Sequence, residues 1–469
     1  MAFAIHLRIT GLITYYHKIP DMQTEFSKKS GRLVGHVGIG IIVLIASTHL
    51  FADTATDTLR ALVEQASRDL RHVRGTSLTK TPPVVHISPE RYVEEYVVRA
   101  FDATWGGDFD RSLEVFKALG MLPADLEAKP FLRRYGAAMT VAAYDFFEKR
   151  ILFPRTEVSP DVLLHELVHA MQDERHDILK LMRTTGFEFD GTLAMGALFE
   201  GEALNVQIRY TLGGSRVLAG LSPYGTLRRE ARTRFETARQ HWIDALPDIP
   251  ENLIRAQAFV YDEGVLFVER LRRRKRNWAA VDAAYAMPPR STAQILHPEK
   301  YIQGEWPVEM TLRDKEKRLP EYALVAENTL GEFGTRLFLQ THRGDLAAPE
   351  KLVEGWRGDR VFLYRRKGIR ATVLVWVSRW SSPAQASSVG LVLHGVLSKF
   401  RDRLSAIYED CSGGHPQPIE AFMKVSGPDL LLVVGGDRDG RKFESVLTDG
   451  LMVKTREGKP FGDEEEKAK

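Results

Sequence analysis

The sequence predicts an α+β protein with a mainly helical domain and a small sheet over residues 53–310, followed by a smaller α+β domain over residues 311–469. Three observations predict this fold class. The chain has 469 residues, which is too long for one average domain. Apolar residues make up 44% and charged residues 27% of it, as in globular proteins. Up to about residue 310, most apolar residues are spaced as on one face of a helix. A connector with several prolines ends this part, and strand-like runs follow it.

An export signal precedes the first domain. A basic stretch is followed by the apolar run VGIGIIVLIA at residues 37–46 and then by the small residue Ala52. The run has about ten residues, whereas a bilayer-spanning helix needs roughly 20. We therefore expect residues 1–52 to be a leader that is cleaved on export to the periplasm or the exterior, with retention as an N-terminal membrane anchor as the alternative. Met22 is expected to be the true start, because the signal then has an ordinary length.

The first domain opens with a helix, a strand and a second helix. Residues 54–75 have helical apolar spacing and end at a glycine, and PPVVHIS at 82–88 is rich in β-formers. Ser88 and Pro89 form a typical helix start, and further helical pattern follows. MTVAAYDFFEKRILFP at 139–154 has two β-rich halves around a polar turn and predicts a hairpin.

Long helices complete the first domain. Ser159 and Pro160 are expected to start a helix with the sequence DVLLHELVHAMQDE. Two more helices are predicted at about 192–212 and 251–275, and the segment LRREARTRFETARQHWIDAL between them is also helical in pattern. AMPPRSTAQILHPEKY then forms a connector broken by prolines, and we place the domain boundary near residue 310.

The second domain combines strands with one long helix. RVFLYRR, ATVLVWVSRW and DLLLVVGG are strand-like, whereas SSPAQASSVGLVLHGVLSKFRDRL is helical in pattern. This combination predicts an α+β domain, whose role the sequence does not indicate. The chain ends in GDEEEKAK, a charged tail that we expect to be disordered.

Charge and cysteine content exclude several kinds of function. Sixty-five Lys and Arg against 62 Asp and Glu give a net charge of +3, which is too small to indicate a nucleic-acid partner. The basic run RLRRRKRNW ends a predicted helix and is expected to be solvated, and the RGD tripeptide at 357–359 is expected to lie in a packed turn. Cys411 is the one cysteine, so any metal must be bound by His, Asp or Glu.

The stretch HELVHAMQDERHD indicates a metal site. His165 and His169 are four residues apart and therefore lie on the same face of the predicted helix. Two imidazoles at this spacing can bind one zinc ion, and Glu166 lies close enough to contact a metal-bound water. A catalytic zinc needs a third protein ligand, and Glu200 in ALFEGEA is the obvious candidate, at a distance that allows a second, antiparallel helix. Glu202, on a different helix face, is the less favoured alternative.

This order of residues resembles the gluzincins, zinc peptidases in which HExxH is followed by a glutamate on a second helix. FEGEA is similar to the NEGFA-like stretch of their aminopeptidase branch and puts Glu200 in the ligand position. VYDEGVLFVERL is similar to the PYEKG-like turn of that branch, in which the tyrosine that matches Tyr261 donates a hydrogen bond to the developing oxyanion. The resemblance implies a zincin-like metallopeptidase domain with one zinc ion bound by His165, His169 and Glu200, and with Glu166 and Tyr261 as catalytic residues.

A second resemblance covers more of the chain. HELVHAMQDERHDI, ALFEGEA and PPRSTAQILHPEKY resemble a poorly characterised bacterial family of secreted and lipoprotein zinc-peptidase-like proteins, over most of residues 70–310. EGWRGDRVFLYRR and VWVSRW extend this resemblance more weakly into the second domain. Nothing before residue 159 matches the Gly-rich exopeptidase motif of the aminopeptidases, so aminopeptidase specificity is not implied.

Two residues are candidates to support the zinc ligands. Gln207 stands seven residues after the third ligand, where the aminopeptidase branch often has a glutamate that orients a zinc histidine. Asp173, four residues after His169, lies on the ligand face and is the better candidate, with a solvated helix residue as the alternative. His176 and His297 are expected to have structural polar roles.

The leader, the HELVH motif and the motifs that contain Glu200 and Tyr261 together predict an exported zinc metallopeptidase that hydrolyses peptide bonds in a protein or peptide substrate. Zinc lowers the pKa of its water to about 7, and Glu166 would act as the general base that takes the proton. The hairpin at 139–154 would offer an edge strand to an extended peptide. The alternative is a catalytically silent cell-envelope binding protein that retains the zinc-site fold, and a third hypothesis is a structural anchor without zinc. The apolar N-terminal segment would allow membrane association.

Overall fold

The computed structural model describes residues 60–461, apart from positions 105, 140 and 345 and the stretches 155–158, 185–187, 214–222, 314–318, 368–371, 413–418, 437–441, 446–449 and 456–460. Helices dominate the first part of the chain and a separate antiparallel sheet the second, so the predicted α+β class is confirmed. The predicted leader and the charged tail lie outside the described residues. Within the described residues, we find no helix with the length and apolar character needed to cross a membrane.

Most of the chain before residue 310 is helical. In chain order the helices are α1 (60–74), α2 (Pro89–Tyr92), α3 (Arg99–Thr104), α4 (Gly106–Ala118), α5 (Ala128–Met139), α6 (Pro160–His176), α7 (Ile178–Thr184), α8 (Phe189–Thr211), α9 (Pro223–Ala245), α10 (Glu251–Lys275), α11 (Ala279–Ala286), α12 (Thr292–Leu296) and α13 (Pro298–Ile302). A π-helical turn joins α2 to α3. The predicted helices are confirmed, and the proline-broken connector contains the short helices α12 and α13.

A three-stranded sheet lies beside the helix that carries HELVH. Its strands are β1 (Val84–His86), β2 (Ala143–Asp145) and β3 (Arg150–Phe153), in the order β1-β3-β2. The strand β3 runs parallel to β1 and antiparallel to β2, so the predicted strand and hairpin are both confirmed. The edge strand β2 contacts α6, which brings the hairpin next to the candidate metal ligands.

The helices α6, α8 and α10 form the centre of this part of the protein. Ser159 precedes α6 in an extended conformation and Pro160 stands in the first turn, as predicted, although the Ser159 side chain makes no capping hydrogen bond. All residues of α6 from Asp161 to Asp173 are buried, and so are those of α8 from Asp190 to Arg209. A helix that is buried all round lies in the core, so the polar side chains on α6 and α8 need partners there.

The C-terminal part of the chain forms a five-stranded antiparallel sheet with its longer helices on one face and a helical turn at 442–445 on the other. Its elements are β4 (Glu309–Leu312), β5 (Tyr322–Asn328), α14 (Gly331–His342), α15 (Pro349–Val353), β6 (Trp356–Arg366), β7 (Thr372–Trp380), α16 (Pro383–Ser412), β8 (Ile419–Ser426), β9 (Asp429–Gly436) and β10 (Leu451–Lys454). The sheet has the order β5-β6-β7-β9-β8, and β4 pairs separately with β10. The three predicted strands and the long helix are confirmed.

Side-chain alternation along β7 divides the sheet between two hydrophobic cores. Leu374 and Trp376 point into the large core that also contains α6, α8 and α10. Val375 and Val377 point to the other face, where they pack in a smaller core with residues of β4. This is the period of two expected for a strand that is buried on both faces.

The large core continues across residue 310. The ring of Phe333 in α14 lies 4.4 Å from that of Phe259 in α10, measured between centroids. The hydroxyl of Thr292 in α12 donates a hydrogen bond of 2.5 Å to Asp190 in α8 and accepts one from the backbone N–H of Phe333. The first turn of α8 is thus bonded to the connector that holds α14. The domain boundary near residue 310 stays a prediction.

The RGD tripeptide lies in the strand β6, where a packed turn was expected. Asp359 is buried and accepts hydrogen bonds from the backbone N–H groups of Leu330 and Gly331 and from the indole N–H groups of Trp356 and Trp376. The Asp359 side chain therefore stabilises the start of α14 against the sheet.

Candidate metal centre

His165, His169 and Glu200 bring three ligand atoms together in the core. Glu200 Oε2 lies 3.2 Å from His165 Nε2 and 3.6 Å from His169 Nε2, and the two Nε2 atoms are 3.0 Å apart. Each of these side chains is 1% exposed. Within the part of the chain that the structure describes, they are the one group of three or more His, Cys, Asp or Glu side chains that could hold a metal ion.

The spacing of the three atoms fits a tetrahedral cation. Zinc binds His nitrogen and carboxylate oxygen at about 2.0–2.2 Å, which puts two ligand atoms of a tetrahedron about 3.3–3.6 Å apart. The observed separations run from 3.0 to 3.6 Å. Two histidines and a glutamate are also a donor set that catalytic zinc sites use, with a fourth position left to water. The cluster could therefore hold a metal ion without a change of backbone.

The ionisation of the cluster favours positive charge between the ligands. Burial works against an ionised Glu200, but attraction by His169 and hydrogen bonds from both histidines outweigh it and lower the pKa of Glu200 to about 2. Burial lowers the pKa of His165 to about 4. For His169 burial acts in the same direction, but the Glu200 carboxylate outweighs it and raises the pKa to about 9. At neutral pH Glu200 is thus ionised and paired with a protonated His169, and a metal ion bound at this position would replace the His169 proton.

Glu166 lies beside the cluster and has one of its two carboxyl oxygens unpaired. Its Oε2 accepts a 2.7 Å hydrogen bond from the backbone N–H of Tyr144 in β2. Its Oε1 is buried and has no hydrogen-bond partner among the described residues. Burial raises the pKa of Glu166 to about 8, against the attraction of His169. A carboxyl group with this pKa is mostly protonated at pH 7, but a cation held by the neighbouring ligands would lower the pKa, and the unpaired oxygen could then accept and return a proton.

Tyr261 reaches the cluster from α10. Its side chain is buried, and the pKa of its phenol is raised well above its usual value by burial, by the charge of Glu200 and by a hydrogen bond with Glu200. The phenol therefore stays protonated at neutral pH and keeps its O–H as a donor. The structure thus brings the predicted tyrosine to the third ligand.

Two glycines explain why α10 comes so close to α8. A Cβ atom built on Gly201 would lie 2.3 Å from the backbone of Gly264, and one on Gly264 would lie 2.4 Å from the carbonyl oxygen of Ala197. Only residues without side-chain bulk allow two helix backbones to approach this far. Gly201 follows Glu200, and Gly264 is one turn after Tyr261. The glycines in FEGEA and VYDEG therefore bring the ligand and the phenol together.

Asp173 is not bonded to His165, His169 or Glu200. Its predicted role as a support for a metal-binding histidine is therefore corrected. Its carboxylate accepts hydrogen bonds of 3.0 Å from the Tyr144 hydroxyl and 2.5 Å from the Lys149 ammonium group. The side chain is buried, so the alternative of a solvated helix residue is wrong as well. Asp173 faces the hairpin, whereas His169 Nδ1 faces Gln172 on the side of α8. Asp173 therefore holds the hairpin that carries the partner of Glu166.

Gln207 also lies away from the candidate metal ligands. Its amide donates a 2.9 Å hydrogen bond to Asp161 in the first turn of α6. Because α8 runs antiparallel to α6, seven residues after Glu200 correspond to about 10 Å along the helix toward the start of α6. Gln207 therefore lies beside the first turn of α6, beyond His165 and His169, and its predicted contact with a metal-binding histidine is not formed.

Glu202 is excluded as the third ligand by its contacts. It accepts a 2.5 Å hydrogen bond from Arg74 in α1, a short one from the Tyr285 hydroxyl in α11 and one of 3.1 Å from the Gln172 amide. Gln172, which was not predicted to have a role at the site, is the residue that contacts His169 Nδ1, at 2.9 Å. Its position three residues after His169, on the same side of the helix, is the signal that could have identified it.

The edge of β2 is occupied beside the cluster, which limits the predicted pairing with a peptide. The backbone N–H of Tyr144 donates to Glu166, and its carbonyl oxygen accepts a 2.8 Å hydrogen bond from the Tyr96 hydroxyl. A peptide strand at this position would have to replace both contacts. The predicted edge strand is present, but its main-chain groups at Tyr144 already have partners.

His176 and His297 have structural contacts outside the cluster. The ring of His176 stacks on that of Tyr285, with centroids 4.2 Å apart. His297 in the connector pairs with Glu332 at the start of α14, with 2.6 Å between Nε2 and Oε1. The pairing of His297 agrees with the expected polar role, whereas the contact of His176 is an aromatic stack.

Comparison with known proteins yields one partial match. A family described as a domain of unknown function, DUF8575, matches residues 318–406. No curated protein and no solved structure matches the chain. The matched segment contains β5, α14, α15, β6, β7 and most of α16, and it contains none of the residues of the metal cluster. The match therefore bears on the C-terminal sheet alone.

Proposed function

We propose that this protein is a zinc-dependent peptidase with a gluzincin-type centre in a zincin-like domain. The observation that carries the proposal is the triangle of His165 Nε2, His169 Nε2 and Glu200 Oε2, with sides of 3.0–3.6 Å, beside the unpaired oxygen of Glu166. A site that only held a structural metal would have no need of that carboxyl group.

The residues of the site divide the chemistry of hydrolysis between them. His165, His169 and Glu200 would hold the zinc ion, which when bound would supply an acidified water and a Lewis acid. Glu166 takes a proton from the attacking water at its unpaired oxygen and later gives it to the leaving amine. The hydrogen bond from Tyr144 fixes the other oxygen, so that proton transfer occurs at one position.

Tyr261 would stabilise the negative charge that develops on the substrate carbonyl oxygen. Its phenol is protonated, lies in the core and contacts Glu200, so it can donate to an oxygen beside the same ligand. The O–H is hydrogen-bonded to Glu200 and would turn from it to the substrate oxygen as the charge develops.

The substrate class rests on the sequence. The leader-like N-terminal segment supports export, and the gluzincin-like order of motifs supports a protein or peptide substrate. Because the edge of β2 is occupied at Tyr144, a peptide would bind elsewhere in the site or would displace the Tyr96 hydroxyl.

One observation favours the alternative, a silent binding protein that retains the zinc site. His165, Glu166, His169, Glu200 and Tyr261 are all at most 4% exposed, so a substrate has to be admitted by movement of the surrounding residues. A binding protein would use its outer surface and would need no such access.

Metal analysis combined with identification of cleaved termini separates the two functions. We expect about one zinc per chain in the wild-type protein and in Glu166→Gln, because this residue does not belong to the ligand triangle. New peptide termini in an envelope proteome should appear with the wild type, and their rate of formation should fall about 10²–10⁴-fold in Glu166→Gln, since the base is lost. His165→Ala, which removes a ligand, controls for contaminating peptidases. Equal, background cleavage by all three proteins, with zinc retained in the first two, would favour the binding role.

A further inference from the structure

Gln172 holds His169 in one orientation through a chain of buried hydrogen bonds. Its Oε1 lies 2.9 Å from His169 Nδ1. Its Nε2 donates to the backbone carbonyl oxygen of Phe199 at 2.9 Å and to Glu202 Oε2 at 3.1 Å. The Gln172 side chain is fully buried, so water does not compete for these contacts.

The two acceptors determine which way the Gln172 amide points. A carbonyl oxygen and a carboxylate oxygen can only accept, so the NH₂ group must face them and the amide oxygen must face His169. An amide oxygen can only accept too, and His169 Nδ1 must therefore carry a proton. When a metal ion replaces the other ring proton, the lone pair is therefore on Nε2, the atom 3.0 Å from His165 Nε2.

Glu202 accepts the last hydrogen bond in the series that runs from His169 through Gln172, and its own position is fixed by other contacts. It is fully buried and is paired with Arg74, which also contacts Asp282 at 2.6 Å, and it accepts a hydrogen bond from Tyr285. The Glu202 carboxylate thus accepts from a buried guanidinium and from a phenol, and the Phe199 carbonyl oxygen beside it can only accept, so the NH₂ group of Gln172 faces both.

We infer that Gln172 is a positioning residue for the metal, which holds the Nε2 lone pair of His169 toward the ligand triangle and is itself oriented by Glu202 and the Phe199 carbonyl. The inference rests on the proposed metal centre. Partners of this kind behind a ligating histidine set its tautomer and ring orientation, and their loss typically costs 10–100-fold in metal affinity. The acidic residue four positions after His169, Asp173, does not take this role, because it bonds to Tyr144 and Lys149.

The substitution Gln172→Leu tests the inference in the full chain, with Gln294→Leu as its matched control. Gln294 is also buried and also makes hydrogen bonds at both ends of its amide, to the backbone of Arg290 and Glu305, away from the metal cluster. Gln172→Leu removes three hydrogen bonds and Gln294→Leu two, in each case from both ends of a buried amide, so a general loss of packing should affect both variants. Zinc affinity is measured by competition with a chromophoric chelator, and the ligand field by the visible absorption of the cobalt-loaded proteins.

The expected result is a 10–100-fold weaker zinc affinity and shifted cobalt bands in Gln172→Leu, with wild-type values in Gln294→Leu. Wild-type affinity and cobalt bands in Gln172→Leu would overturn the positioning role and leave the metal centre in place. Equal losses in both variants would also overturn it, because they would indicate a general structural effect. Absence of zinc binding by the wild type would overturn the proposed metal centre and this inference together.

Discussion

Tyr144 connects three parts of the candidate site. Its backbone N–H donates to Glu166, its carbonyl oxygen accepts from the Tyr96 hydroxyl, and its own hydroxyl donates to Asp173. The hairpin is thereby bonded at one residue to α6 and to the π-helical turn that contains Tyr96. Since Glu166 is the proposed base, the position of its carboxyl group depends on how well the hairpin is held.

Asp262, next to Tyr261, is a residue at which the structure predicts a pH-dependent cost. Its Oδ1 is buried without a hydrogen-bond partner among the described residues, and burial, followed by repulsion from Glu263, raises its pKa to about 7. An unfolded aspartate titrates near 3.9, so between about pH 4 and 7 the folded chain binds more protons than the unfolded one. The stability from this group is therefore present below pH 4 and is lost as the pH rises to about 7.

The substitution Asp262→Asn should remove this dependence. We expect the variant to be more stable than the wild type by about 2 kcal/mol at pH 8, because no charge has to be buried, and to differ little from it at pH 4. Urea unfolding followed by circular dichroism at pH 4, 6 and 8 measures the difference. The same change of stability with pH in both proteins would contradict the assignment.

At the scale of elements, the crossing of α8 and α10 determines whether the site exists. Gly201 and Gly264 let the two backbones approach to a distance at which a single added Cβ would overlap backbone atoms. Glu200 and Tyr261 come from different helices, and each stands within one turn of a glycine at the crossing. Because helix backbones cannot shift locally, an added methyl group would separate the helices over several turns.

We expect Gly264→Ala to lower the free energy of unfolding by about 1–3 kcal/mol or more and to weaken zinc binding. Gly107→Ala is the control, since Gly107 is an exposed residue of α4 where a Cβ would meet only the end of Arg111 at 3.6 Å. Alanine there should be neutral or stabilise the helix by up to about 1 kcal/mol. Thermal unfolding and chelator competition test both variants, and similar behaviour of the two would refute the close crossing.

Elements were predictable to the extent that they depend on local pattern. The helix α10 begins and ends at the predicted residues 251 and 275, and the hairpin and the three C-terminal strands were identified from their β-rich runs. The helices α12 and α13 were missed, because prolines and only five residues each leave too little periodicity to recognise. The strand order β5-β6-β7-β9-β8 was not predictable, since it depends on contacts between distant segments.

At the scale of the whole molecule, one hydrophobic core contains residues from both sides of position 310. Phe259 packs on Phe333 across that position, and Asp190, at the start of the ligand helix α8, is bonded to Thr292. These contacts join the C-terminal sheet to the helix that carries Glu200. We therefore expect the described parts to unfold together.

Phe333→Ala tests this expectation by calorimetry. Phe333 is 1% exposed, so its truncation should cost about 3–5 kcal/mol and shift a single thermal transition to lower temperature. Leu391→Ala on the outer face of α16, where the side chain is 78% exposed, should leave the transition within a degree or so. Two transitions, of which Phe333→Ala moves only one, would indicate independent domains with a boundary near residue 310.

The sequence by itself determined the α+β class, the helices α6, α8, α9, α10 and α16, and the three residues that could hold a metal ion. His165 and His169 share a face because of their spacing on one helix, and Glu200 and Tyr261 could be identified because their motifs resemble those of known zinc peptidases. Only the tertiary structure decided the partners of these residues. Asp173, Gln207 and Glu202 all stand at spacings compatible with a ligand or a support, and each has a different partner. The reason is physical, since spacing along a helix determines only which face a side chain is on. What lies opposite that face depends on how α6, α8, α10 and the hairpin pack.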